Sequence, residues 1–345
     1  MGPTMTTATQ PAPRVTRETT ERTIHFIDAV RQQIGTVVVG QNVVVERLLV
    51  ALFTGGHLLL QGVPGLAKTL LVATLAKTIV LAFARIQFTI DLLPSDILGS
   101  EVLDQRTNDF RVVKGPIFTN LLLADEINRA APKVQSALLE AMQERRVTIG
   151  KETFKVPAPF LVIATQNPVE QSGTFELPEA QLDRFMLCHR LDYPDQDEER
   201  EVLKRNLALG VKREDRGAVV RTEFDVLDNR PVGSVEDLVL AMEAVHQVYV
   251  SDTFVEHVVE LVKRTRHHPR IELGCSPRAG IALTKASRAR ALIHGRDYVV
   301  PEDLYALADD VMLHRMRLNY EALAEGHTGA TVLRELLDEF GFVAR

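Results

Sequence analysis

Apolar runs separated by short polar turns organise the first half of the chain. Continuous runs at 57–61, 120–125 and 160–165 fit strands buried on both faces, which need no alternation of polar and apolar positions. Between them the period lengthens to that of a helix. The pattern over 23–53 predicts two helices separated by 35–40, the second carrying Val45, Leu48, Leu49 and Leu52 on one face, and 133–145 predicts another. A further helix begins near Leu70, directly after a Gly-containing turn. The 70–84 stretch is the most membrane-like, but it is shorter than the ~20 residues a spanning helix needs and carries Lys77, so it reads as one buried helix. Strands alternating with helices predict an α/β fold, a mostly parallel sheet with helices on both faces. Ligands of such sheets bind beyond the carboxyl ends of the strands, where the polar residues closing these runs converge.

After Tyr193-Pro194 the pattern becomes almost wholly helical, with amphipathic segments over 234–249, 253–266, 277–294 and 301–315. Ser234 with Asp237 and Thr253 with Glu256 read as capping boxes, Pro301 suits a first helical position, and Gly295 reads as a helix stop. The predicted organisation is a disordered tail over 1–20, an α/β core over 21–194, and a small all-α lid domain with C-terminal helices over 195–345.

Composition narrows the function classes. A chain of 345 residues, 46% hydrophobic and 25% charged, is long enough for about two packed domains and unlike a disordered or fibrous sequence. A net charge of −6 does not favour a nucleic-acid partner. Cys188 and Cys275 lack metal-ligand spacing and are too few for a disulfide framework, so they read as apolar fillers of a protein in a reducing, cytoplasmic compartment. No apolar segment of a secretory signal follows Met1, and no membrane insertion is expected. His267-His268 offers no zinc site, because no further ligand stands nearby and adjacent side chains on a helix diverge.

The chemistry is concentrated at three strand ends. Gly62-Val63-Pro64-Gly65-Leu66-Ala67-Lys68-Thr69, between a strand and a helix, matches a phosphate-binding loop except that Ala67 replaces the second Gly. In such a loop backbone amides face the phosphates, Lys68 adds a point charge, and Thr69 offers a hydroxyl to Mg²⁺; Leu70 follows in the helix. The run 121–126 ends in Asp125-Glu126, which suits Asp125 for holding Mg²⁺ and Glu126 for polarising a water. Asn167, after the run 160–165, could orient that water.

Strand, phosphate loop, Asp-Glu strand and Asn strand, followed by a helical domain, resemble an AAA+ ATPase. GVPGLAKT at 62–69, LLLADEINRA at 121–130, KVQSALLEAMQE at 133–144, ATQNP at 164–168, EAQLDRF at 179–185 and SPRA at 276–279 resemble the MoxR family, relatives of the magnesium-chelatase ATPase subunit. The resemblance spans about 25–320. It implies a homo-oligomeric, usually hexameric, ring with ATP at subunit interfaces and Mg²⁺ as cofactor. It makes Lys68 and Thr69 the Walker A pair, Asp125 and Glu126 the Walker B pair, Asn167 the first sensor, Arg278 the second sensor and Arg184 the arginine finger. It also places Gly40 and Gln41 beside the adenine, turns Asn128 and Arg129 toward the interface, and makes 91–115 and 146–156 projecting insertions, each with a hairpin. The implied work is ATP-driven remodelling or maturation of a protein client, metal insertion included, with a separate von Willebrand factor A domain protein as partner. Two other readings remain: a nucleic-acid motor, and a non-hydrolysing nucleotide switch.

Overall fold

The computed structural model describes residues 16–63, 65–106, 108–168, 173–214, 217–225 and 231–340. Helix α1 (Arg17–Val37) starts where the Thr16 side chain accepts from the Thr19 amide, so it begins before Thr23 and runs through Gly35. The break before α2 (Asn42–Thr54) lies at 38–41, where Gly40 and Gln41 both take positive φ. Most of the expected tail falls outside the described residues, and its last positions are helical.

Strand β1 (Leu58–Gln61) leads into α3 (Lys68–Thr78) and β2 (Phe83–Gln87). The 70–84 run is therefore not one helix: it divides at Ile79, the next residue, Val80, takes a positive φ of 57°, and the chain turns into a strand. The segment after β2 forms α4 (Pro94–Leu98) and an antiparallel hairpin, β3 (Gly99–Asp104) with β4 (Asp109–Lys114). That hairpin leaves Val102, Leu103, Phe110 and Val113 exposed. Next come β5 (Leu121–Asp125), α5 (Pro132–Glu144), a second hairpin of β6 (Arg146–Ile149) with β7 (Glu152–Lys155), and β8 (Leu161–Gln166). A short α6 (Glu179–Leu182) and β9 (Leu187–Arg190) close the core.

The five-stranded sheet has the order β2-β5-β8-β1-β9, with every neighbouring pair parallel. Its central strands are almost fully buried because helices cover both faces, which is why their sequences read as unbroken apolar runs. One apolar cluster joins α1, α2 and α3 to the sheet and to the C-terminal helices; a second fills the opposite face around α5.

The remaining chain is mainly helical: α7 (Gln196–Leu207), α8 (Val235–Gln247), α9 (Asp252–His267), α10 (Pro277–Ile293), α11 (Pro301–Met312), α12 (Tyr320–Ala324) and α13 (Gly329–Asp338). It is not wholly so, since an exposed hairpin of β10 (Val211–Glu214) with β11 (Gly217–Val220) follows α7, and β12 (Ile271–Leu273) pairs with β13 (Arg317–Leu318). The Ser234–Asp237 capping box forms, Pro301 opens α11, and Gly295 follows α10 at φ 74°. The Thr253 box does not: Ser251 is the cap, its hydroxyl accepting from the Phe254 amide at 3.1 Å. Among the described residues no helix is long and apolar enough to cross a membrane.

Candidate nucleotide site

The loop after β1 sits at the carboxyl edge of the sheet and borders a cavity of about 880 Å³. Gly65 at φ 89° and Ala67 at φ 51° bend the backbone into the N-terminus of α3. Gly62 has no room for a side chain, because a Cβ there would stand 2.8 Å from that of Leu191. Gly62, Gly65, Leu66, Ala67, Lys68, Thr69 and Leu70 all border the cavity, as does Gln41. Val63 packs against the apolar core, and Pro64 lies outside the described residues. Gly40 is not in the wall; it lies under the Glu198 carboxylate of α7, 2.3 Å from where its Cβ would be. Lys68 Nζ donates to the Gly62 carbonyl at 2.7 Å, and burial lowers its pKa against the pull of Asp125 and Glu126. Val37, Val38, Tyr193, Leu203 and Phe224 give the far wall an apolar character suited to a planar base.

Asp125 ends β5 and Glu126 follows in a left-handed conformation, φ 56°, which a non-glycine residue adopts only under local constraint. Thr165 of the neighbouring β8 supplies the constraint: its Oγ1 accepts from the Glu126 amide at 2.9 Å and donates to Asp125 Oδ1 at 2.5 Å. Asn167, just past β8, is buried and borders the same cavity. Strand β2 adds two residues that the sequence reading did not nominate. Arg85 donates to Asp125 Oδ2 at 2.7 Å, and Gln87 donates to Glu126 Oε2 at 2.8 Å. The polar positions 85 and 87 flanking Ile86 were the available signal, but it acquires meaning only once β2 is known to lie beside β5. The hydroxyl of Thr69 and the carboxylate of Asp125 face one cavity and are hard oxygen donors. That donor set fits Mg²⁺, which binds through one or two protein oxygens together with substrate phosphates.

Arg184 borders a different space, an open groove of about 680 Å³ with Ser136, Glu140 and Gln181. Arg278, half exposed, stands 3.8 Å from Asp183 and likewise outside the wall of the cavity around Lys68. Asp183 also accepts from Arg315 Nε at 2.8 Å and from the Ser276 hydroxyl at 3.1 Å. Both arginines thus stand outside the cavity that the loop, the acids and Asn167 border. Asn128 is buried, its carbonyl accepting from the Phe175 amide, and Arg129 folds back to Glu126 at 2.9 Å. Burial pushes the Cys188 thiol up to about 12 and the Cys275 thiol to about 11, so both stay protonated and inert at neutral pH.

Residues 57–187 match the ATPase family associated with various cellular activities (AAA), and 263–336 match an AAA lid domain. The uncharacterised protein YeaC of Bacillus subtilis is 45% identical over 89% of this chain and 91% of its own. Chaperone MoxR1 of Mycobacterium tuberculosis is 42% identical over 91% of this chain and 81% of its own. A crystal structure from Cytophaga hutchinsonii, of a protein assigned as an ATPase, is 44% identical and superposes with a TM-score of 0.83, covering 93% of this chain and 96% of that one.

Proposed function

The chain belongs to the MoxR family of AAA+ ATPases, and from that premise we propose that it hydrolyses Mg-ATP as a homo-oligomeric ring, a hexamer, to remodel or mature a protein client. Metal insertion into the client falls within that reading, as do a cytoplasmic setting and a separate von Willebrand factor A domain partner. The observation that carries the ring is the separation of Arg184 from its own chain's cavity, which Lys68, Asp125, Glu126 and Asn167 all border. An arginine that cannot serve its own site is free to serve a neighbour's.

In the proposed site the loop amides and Lys68 hold the phosphates. Thr69 and Asp125 hold Mg²⁺, which neutralises charge on the phosphate oxygens. Glu126 accepts a proton from the attacking water and Asn167 orients it. A neighbour's Arg184, permanently charged and shaped to match phosphate oxygens, stabilises the transferring group, a contribution of ~10³ to 10⁵ in rate for arginine fingers. Arg278, tied to Asp183 beside Arg184, senses the nucleotide from the helical domain.

The test is ATPase activity against protein concentration, with assembly followed by light scattering. Activity per chain should rise with assembly. Glu126→Gln and Arg184→Ala should each lower kcat at least ~10²-fold while leaving ATP binding within a few-fold of wild type. Full activity in a monomer, or an unaffected Arg184→Ala, would sink the shared site.

A further inference from the structure

We propose that the β10–β11 hairpin is a docking ribbon for a protein partner, which adds an extended segment of alternating apolar and acidic residues as a third strand. The site lies apart from the nucleotide chemistry proposed above and does not depend on it.

The stem of this hairpin is fixed while its blade is bare. Arg205 of α7 donates to the carbonyls of Gly35 at 2.8 Å and Thr36 at 3.2 Å, which ties the stem to the end of α1. Asn206 donates to Glu223 at 2.8 Å, and the Arg221 amide donates to the Gly210 carbonyl at 3.1 Å, so the two arms are clasped at their base. Beyond the clasp Val211 stands opposite Val220, Lys212 opposite Val219 and Arg213 opposite Ala218, and no third strand joins them among the described residues. Alternation puts Val211, Ala218 and Val220 on one face with Arg213, and Lys212 with Val219 on the other. Both faces are open: Val211, Val219 and Val220 are all exposed, and Leu207 at the end of α7 is 86% exposed.

A two-stranded ribbon with no buried face is marginal in water, and a third strand is what such a ribbon lacks. Charge selects that strand. The sequence over 204–221 holds six cations against two acids in a chain of net charge −6, and Lys204, Lys212, Arg213 and Arg221 are all exposed. An identical ribbon from a second copy would meet them with like charge. A segment with acids at alternate positions meets Lys212 on one face and lays its apolar residues beside Val211 and Val220 on the other. The 204–221 segment has no aromatic side chain on which a nucleic-acid base could stack. An open main-chain edge, in turn, cannot enter lipid without leaving its amides unsatisfied. A protein strand satisfies the edge, the valines and the cations together.

The experiment follows the fluorescence anisotropy of a fluorescein-labelled peptide alternating valine with glutamate, titrated with the full chain. That peptide should bind, and its lysine counterpart should not. The double variant Lys212→Glu/Arg213→Glu should weaken the glutamate peptide at least about tenfold at unchanged melting temperature, and should create binding of the lysine peptide. N-methylation of the peptide's amides removes the donors of an added strand, leaves the protein untouched and should abolish binding. Absence of binding, or equal binding of the lysine or N-methylated peptide, would overturn the proposal. Displacement of the peptide by oligothymidylate or phosphatidylglycerol vesicles at lower concentration than by unlabelled peptide would do the same. So would a fall in oligomer size by light scattering in the double variant, which would give the ribbon to a second copy of the chain.

Discussion

Ala67 holds a left-handed conformation at the mouth of α3 where the phosphate-loop pattern has glycine. For a residue with a Cβ that conformation costs on the order of 1 kcal/mol or more, and glycine relieves it. Ala67→Gly should therefore stabilise the nucleotide-free protein by ~1 kcal/mol, read as a higher midpoint in urea unfolding; a lower midpoint would show that the loop gains more from rigidity than it loses to strain. At this scale the site was partly legible. Lys68, Thr69, Asp125 and Glu126 are marked by their immediate neighbours in sequence. Arg85 and Gln87 are not, because their meaning comes from a strand pairing across nearly forty positions.

Element by element, apolar periodicity located the helices and buried strands, and capping chemistry located several of their ends. It failed where a boundary is set by backbone geometry rather than by hydropathy. Val80 turns a continuous apolar run from helix to strand, and the exposed β10–β11 hairpin has no buried face to generate alternation. The pairing of elements also has a pH signature. His57 sits under the sheet, its Nδ1 accepting from the Val162 amide and its Nε2 donating to the Met142 carbonyl. Burial lowers its pKa to about 4, and that of His314 to about 3. In the unfolded chain both titrate near 6.5, so between that pH and about 4 the unfolded state binds protons that the folded state refuses. Stability is fully present above pH 6.5 and falls as pH drops. The melting temperature should decline from pH 7.5 through 6 to 5, and His57→Gln should flatten that decline; an unchanged slope in the variant would assign the effect elsewhere.

Across the whole molecule, the division into an α/β core and a helical lid was expected from sequence, but the coupling between them was not. Arg47 of α2 pairs with Glu46 and with Asp310 of α11, Asp310 also meets His189 of β9 at 2.8 Å, and Arg290 of α10 meets Glu46 at 3.2 Å and Asp303 at 2.8 Å. Burial alone would raise the Glu46 pKa, yet Arg47, Arg290 and His294 bring it below the usual carboxylate range. Removing one member of a buried set strands its partners, so Arg47→Met should cost ~3 to 5 kcal/mol, measured by denaturant unfolding; a loss below 1 kcal/mol would mean that water replaces the guanidinium. Asp183 ties the same two halves together at a second place. It receives Ser276 and Arg315 from the helical half, and the next residue in the chain is Arg184. In the proposed ring, a tilt of the helical half would be delivered through Asp183 one peptide unit from Arg184. Within the proposed ring this makes Asp183 a fulcrum and the lid a lever, so that the posture of one subunit sets the moment at which the next one fires.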